Sequence, residues 1–138
     1  MNPLFIYTDG ASRGNPGHAS YGVCIQDADG NVLLEVNDYL GTATNNVAEY
    51  SALIRGLEEA KRLGAKEVNV FTDSELVARQ FDGTYRIKDA GLKTLLARAW
   101  ELRKDFKSVA VKHIPRSSHP GNKRADKLAN QAIDRALS

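Results

Sequence analysis

Past residue 45 the apolar residues of this chain change their spacing, and that change limits the folds open to it. Before it, LFIYTDG (4–10), SYGVCIQ (20–26) and NVLLEVNDYL (31–40) are short runs rich in β-branched and aromatic residues. In the third, Val32, Leu34 and Val36 alternate with Leu33 and Glu35, a period of two that belongs to strands. From Asn46 to Leu63 the apolar Tyr50, Leu53, Ile54, Leu57 and Ala60 recur at helical spacing, with Lys61 and Arg62 in the last turn and Gly64 after it. Strand and helix then alternate. EVNVFTD (67–73) reads as a strand and Ser74–Phe81 as a short helix. Asp89–Lys104 is a longer helix with Leu92, Leu95, Leu96, Ala99 and Leu102 on one face. SVAVKHI (108–114) is a fifth strand, and Ala125, Leu128, Ala129, Ala132, Ile133 and Ala136 form the apolar stripe of a last helix. Loops are expected at Ala11–Ala19, 82–89 and PRSSHPG (115–121).

The order β-β-β-α-β-α-α-β-α, with an Asp29-Gly30 turn joining the second and third strands as an antiparallel hairpin, implies a mixed sheet with helices on its faces. The strands ending at Asp9 and Asp73 become parallel neighbours through their crossover. Their C-terminal ends then lie side by side, at the edge where open α/β sheets bind ligands.

At 138 residues the chain suits one domain, residues 1–138, with 42% hydrophobic and 26% charged residues. No apolar run has the length of a membrane span, and MNPLFIYTDG lacks the basic start and apolar stretch of a signal peptide. The lone Cys24 reads as a buried thiol and excludes an intrachain disulfide or a zinc cluster. A cytoplasmic monomer is expected. The net charge of +2 conceals an asymmetry: residues 1–85 hold 6 Lys and Arg against 12 Asp and Glu, and residues 86–138 hold 13 against 5. An acidic half suits cations and a basic half suits a phosphate backbone.

Four acids fall at element ends, and each alone has a structural explanation. Asp9 opens an Asp-Gly turn; Glu49, three residues after Asn46, completes a variant capping box; Asp73 caps the helix after it; Asp126 pairs with Lys123, Arg124 or Lys127. Jointly they read differently, because the topology delivers two strand ends and two helix starts to one rim. Carboxylates packed together repel one another, and hard oxygen ligands suit Mg²⁺ or Mn²⁺. Two such ions roughly 3.5–4 Å apart activate a water on one side of a phosphorus and steady the leaving oxygen on the other.

The blocks YTDGASRGNPG (7–17), TNNVAEYSAL (44–53), FTDSELV (71–77) and HPGNKRADKLAN (119–130) together resemble the type 1 ribonuclease H family, in order and over nearly the whole chain. The resemblance implies a five-stranded mixed sheet, its first three strands antiparallel and its first, fourth and fifth parallel, with helices on both faces. It implies cleavage of the RNA strand of RNA–DNA hybrids to 3′-hydroxyl and 5′-phosphate ends, with two Mg²⁺ ions, or Mn²⁺ as substitute, when substrate is bound. Asp9, Glu49, Asp73 and Asp126 match the metal ligands, with Asp9 bridging both ions. Gly10, Asn15, Asn45 and Asn46 fall in the hybrid-contacting motifs, where amides distinguish RNA by its 2′-hydroxyl. Thr42 and Thr44 are candidates for the DNA-side phosphates, and Ser74 and Glu75 for the RNA strand.

Two departures from the family pattern matter. A histidine common in the loop before the last acid aligns with Arg116; His119, three residues on, is the runner-up, and His113 reads as a strand-end residue. The basic, Trp-rich protrusion of many bacterial members is replaced by DGTYRIKD (82–89), where Tyr85, Arg86 and Lys88 form either a remnant grip or an ordinary polar loop. Trp100 reads as core. Two alternatives stay open: a DNA nuclease or resolvase on the same scaffold, and a non-catalytic hybrid-binding module.

Overall fold

The computed structural model describes residues 2–138. Its elements are β1 (Leu4–Gly14), β2 (Gly17–Gln26), β3 (Val32–Ala43), α1 (Asn45–Arg62), β4 (Glu67–Thr72), α2 (Glu75–Phe81), α3 (Ala90–Arg103), β5 (Ser108–His113) and α4 (Pro120–Leu137). The strands make one sheet in the order β3-β2-β1-β4-β5. β1–β2 and β2–β3 are antiparallel, while β1–β4 and β4–β5 are parallel. This is the mixed sheet expected.

Alternation along β1 decides which helix each side chain meets. Ile6 joins Val23, Ile25, Leu53, Leu57, Val68, Val70, Leu96 and Leu102 in the main core, between the sheet and α1 with α3. Tyr7 points to the opposite face, where it packs with Cys24 and Ala125 of α4. β4 shows the same period, with Val68, Val70 and Thr72 buried and the residues between them half-exposed. Buried apolar area at about 25 cal/mol per Å² is the main favourable term holding these layers together. α4 lies flush on β2 because Gly22 has no side chain: a Cβ there would sit 2.1 Å from the Ala125 carbonyl oxygen.

Several local expectations are corrected. Ala11–Ala19 is not a loop. β1 continues through Asp9-Gly10, and the ladder runs from Gly10↔Tyr21 to Gly14↔Gly17, leaving only Asn15 and Pro16 at the tip. Gly14 and Gly17 there serve the tight hairpin, where a Cβ on Gly17 would sit 2.0 Å from the Arg13 carbonyl oxygen. β3 likewise extends to Ala43. Thr44 caps α1, its hydroxyl accepting the Val47 N–H at 3.2 Å, so neither Asn45 nor Asn46 does so and Glu49 is not in a capping box. Ser74, not Asp73, caps α2 by accepting from Val77 N at 3.2 Å. α4 starts at Pro120, inside the expected loop, with His119 as its cap. Trp100 is 37% exposed, its indole N–H bound to the Phe81 carbonyl and its ring beneath Arg103, so it is not core. Ala136 is exposed as well. Cys24 is fully buried, as read.

Candidate active site

Parallel pairing of β1 with β4 brings Thr8 opposite Thr72, so the next residue on each strand, Asp9 and Asp73, emerges at the same edge. The start of α1 lies over that edge and carries Glu49 into it. Asp9, Glu49 and Asp73 offer oxygens that all lie within 4.8 Å of one another. Asp9 and Glu49 are buried and Asp73 is half-buried. Asp126, on α4, stands outside that tight set but lines the same pocket. The pocket is open, about 550 Å³ in volume.

Gly10 explains how α1 comes so close. Its N–H donates to Glu49 Oε1, and a Cβ at this position would lie 2.4 Å from Glu49 N and 2.5 Å from the Ala48 carbonyl carbon. No side chain fits between β1 and the helix, and the freed N–H aims the Glu49 carboxylate.

Burial and crowding set the electrostatics. Burial first, then the charges of Glu49, Asp73 and Asp126, push the Asp9 carboxyl far above the ordinary carboxylate range. Burial first and then Asp73 raise Glu49, against the opposing pull of the Gly10 N–H, of Asp9 and of the Arg116 guanidinium. A set of carboxylate oxygens in which Asp9 and Glu49 hold their charge at a cost is what a hard divalent cation relieves. Among the described residues no histidine or thiol lines the pocket, and carboxylate oxygens suit hard cations such as Mg²⁺ or Mn²⁺. The residues therefore fit a divalent metal held by oxygen.

Other expected site residues divide into two groups. Gly10, Asn15, Asn45 and Arg116 line the pocket. Asn15 Oδ1 accepts the Asn45 N–H at 3.0 Å, tying the β1–β2 tip to the start of α1. Arg116 approaches Asp126 Oδ1 at 3.9 Å from a loop fixed by Asn122, whose side-chain oxygen accepts the Ser117 N–H at 2.5 Å. Thr42, Asn46 and Ser74 lie outside the pocket lining. Thr42 sits beside His18 near the end of β3, while the Thr44 and Ser74 hydroxyls are spent as caps and Glu75 accepts from the Tyr85 hydroxyl. His119 is elsewhere too. Its Nδ1 accepts the Gly121 N–H at 2.9 Å, its ring stacks on Tyr7 at 4.5 Å, and its Nε2 meets the Tyr7 hydroxyl at 3.2 Å. Both ring nitrogens are engaged, whereas the Arg116 guanidinium lines the pocket. The sequence reading missed Ala11, Ser12, Arg13 and Asn130, all of which line the pocket. The first three were hidden by taking their strand for a loop. Asn130 had a usable signal, four residues beyond Asp126 on the same helix.

A family model described as reverse transcriptase-like matches residues 7–132. The ribonuclease H of Pseudomonas savastanoi pv. phaseolicola is 36% identical over 94% of this chain and 91% of its own length. The chain belongs to the ribonuclease H family. Among ribonucleases H, the ribonuclease HI of Halobacterium salinarum is 44% identical over 96% of this chain but only 65% of its own length. The mycobacterial relatives, at 45% identity, are matched over 36% of theirs. The Halobacterium RNase H1 crystal structure superposes with a TM-score of 0.92 at 42% identity, covering 97% of this chain and 99% of that one. LC11-RNase H1, solved in complex with an RNA/DNA hybrid, has a TM-score of 0.91 at 47% identity, with 98% and 99% covered. The ribonuclease H fold is thus shared from β1 to α4.

Proposed function

We propose that this chain is an endonuclease hydrolysing the RNA strand of RNA–DNA hybrids, with two Mg²⁺ ions, or Mn²⁺ in their place, leaving 3′-hydroxyl and 5′-phosphate ends. The observation that carries this reading is the convergence of the Asp9, Glu49 and Asp73 oxygens within 4.8 Å, with Asp126 beside them. Divalent ions bound at such carboxylates supply a water of lowered pKa and charge stabilisation at a phosphoryl oxygen. Asp9, whose carboxylate lies within 4.8 Å of those of Glu49 and Asp73 in the pocket that Asp126 also lines, would share in holding both ions. Glu49 is kept in place by the Gly10 N–H, and Arg116 brings positive charge to the pocket for the scissile phosphate. Asn15 and Asn45, with Gly10 allowing close approach, would read the 2′-hydroxyls; Asn46, Thr42 and Ser74 would make contacts outside the pocket. The hybrid complex of LC11-RNase H1 supports this substrate class.

Residues 1–138 are taken to act as one catalytic domain and as a monomer. No described helix is long and apolar enough to cross a membrane, and we place the activity in the cytoplasm. The test is cleavage of end-labelled hybrid, DNA duplex and RNA duplex, with and without Mg²⁺, by the native chain and by Asp9→Asn. Hybrid alone should be cut, only with metal, and only by the native chain. Equal rates for the two proteins would defeat the mechanism. Cutting of DNA duplex would favour a DNA nuclease, and metal-independent binding without cutting would favour a binding module.

A further inference from the structure

Asp126 is the pocket acid that stands outside the tight set of three. Its side chain is 37% exposed, and Arg116, itself 78% exposed, reaches it only at 3.9 Å. Asn130, one turn along α4, supplies a closer hold. Its Nδ2 donates to the Asp126 carbonyl at 3.0 Å and to Asp126 Oδ1 at 3.3 Å. An amide fixes a neighbour's direction only if its own oxygen and nitrogen cannot exchange places. Here the exchange is blocked, because Asn130 Oδ1 accepts from Arg13 Nη2 at 3.3 Å, and a guanidinium offers donors only. Arg13 reaches α4 from the outer arm of β1. It also donates to the Asn130 carbonyl at 3.4 Å and is anchored by Asp134 at 2.7 Å. The chain of contacts Asp134–Arg13–Asn130–Asp126 thus ties the β1–β2 hairpin to the fourth acid.

We propose that Asn130 is a positioning residue, oriented by Arg13, that aims the Asp126 carboxylate into the acidic pocket for sharing in metal binding. The inference rests on the metal-dependent reading above. An amide suits the task, since it donates a hydrogen bond without placing a cation in competition with the metal.

The experiment measures Mn²⁺ binding to the chain by electron paramagnetic resonance. It compares the native protein with Asn130→Ala, Arg13→Ala and the pair, and Asp126→Asn with and without Asn130→Ala. Loss of a residue that orients a metal ligand typically costs about 10-fold or more in affinity. Asn130→Ala should weaken Mn²⁺ by about 10-fold. That effect should vanish in the Asp126→Asn background, and Arg13→Ala should not add to it. Equal affinity for native and Asn130→Ala proteins, or an undiminished effect without the Asp126 carboxylate, overturns the proposal; full additivity overturns the part given to Arg13. With hybrid, kcat should fall by a similar factor while KM stays constant, whereas a raised KM at constant kcat would make Asn130 a substrate contact instead. Alanine favours helix, so α4 should persist in circular dichroism. If the Mn²⁺ pattern holds but the native chain does not cut hybrid, the positioning role stands and the ribonuclease reading falls.

Discussion

Asp9 and Glu49 are each 5% exposed, yet a cation can be held there only by their charged forms. In metal-free protein their burial and mutual repulsion make the folded chain keep protons that the unfolded chain releases above pH ~4. The folded state binds more protons over that window, so stability falls as pH rises from ~4 towards the raised folded values, and is fully retained only below it. Asp9→Asn should therefore stabilise the metal-free protein, by on the order of 5 °C in Tm at pH 8 and less at pH 5, while abolishing cleavage. Thermal melts at the two pH values check this; a variant that melts no higher than native at either would show that the acids do not repel. Gly10 gives a second residue-scale prediction. Gly10→Ala puts a Cβ against the backbone of Ala48 and Glu49, which cannot yield as a flexible side chain would, so the start of α1 must shift. A misplacement of about 1 Å at a catalytic group costs on the order of 100-fold, and kcat should fall by about that factor with far-ultraviolet circular dichroism retained. The four acids were legible from the sequence blocks that carry them, although the structure places Asp9 inside β1 and Glu49 and Asp126 in the second turns of α1 and α4 rather than at element ends. Arg13 was not, because its importance lies in a contact with Asn130, 117 positions away.

The elements themselves followed from apolar periodicity, and the errors cluster where a different force sets the boundary. β1 was cut short at Asp9-Gly10 because Gly, Ala and Ser are turn-formers in isolation. In the fold Gly10 passes close under α1, and ladder pairing with β2 overrides the local preference of the residues after it. Helix starts were misassigned by one residue where two capping candidates adjoin. At 73–74 the choice fell to Ser74, leaving Asp73 free to face the pocket, and at 44–46 to Thr44, leaving Asn45 there as well. A cap that leaves an adjacent side chain free for the site is visible only in three dimensions. Thr44 also fixes where α1 begins and hence how Glu49 enters the cluster. Thr44→Ala should lower stability by about 1 kcal/mol in urea unfolding, and Thr44→Ser should restore most of it, because the serine hydroxyl accepts the same Val47 N–H. Equal stability of all three would mean that the cap carries no weight.

For the whole molecule, charge is divided along the chain, with the acidic half supplying three of the four pocket acids and the basic half supplying Arg116 and α4. The segment between α2 and α3 bears on how that basic half grips a polyanion. Ribonucleases H with a basic protrusion at this point have extra cations for the DNA strand; here the connection is residues 82–89. Within it the Tyr85 hydroxyl is committed to Glu75 at 2.9 Å and the Arg86 carbonyl to Gln80, so the segment is folded back on α2 rather than projecting. Only the Arg86 and Lys88 side chains remain to meet phosphate. Each phosphate contact that releases a counterion adds about 0.9 to the slope of log affinity against log salt on B-DNA, and a comparable amount is expected on a hybrid. Hybrid binding by the cleavage-deficient Asp9→Asn chain should then be weaker at low salt than that of an equally inactivated protrusion-bearing relative. Its salt slope should be shallower by about 1–3, corresponding to one to three fewer phosphates neutralised. Fluorescence anisotropy of a labelled hybrid between about 50 and about 200 mM salt measures both slopes. A slope equal to the relative's would mean that the cations of α3 and α4 replace the missing protrusion, and that the fold grips its substrate from a different side.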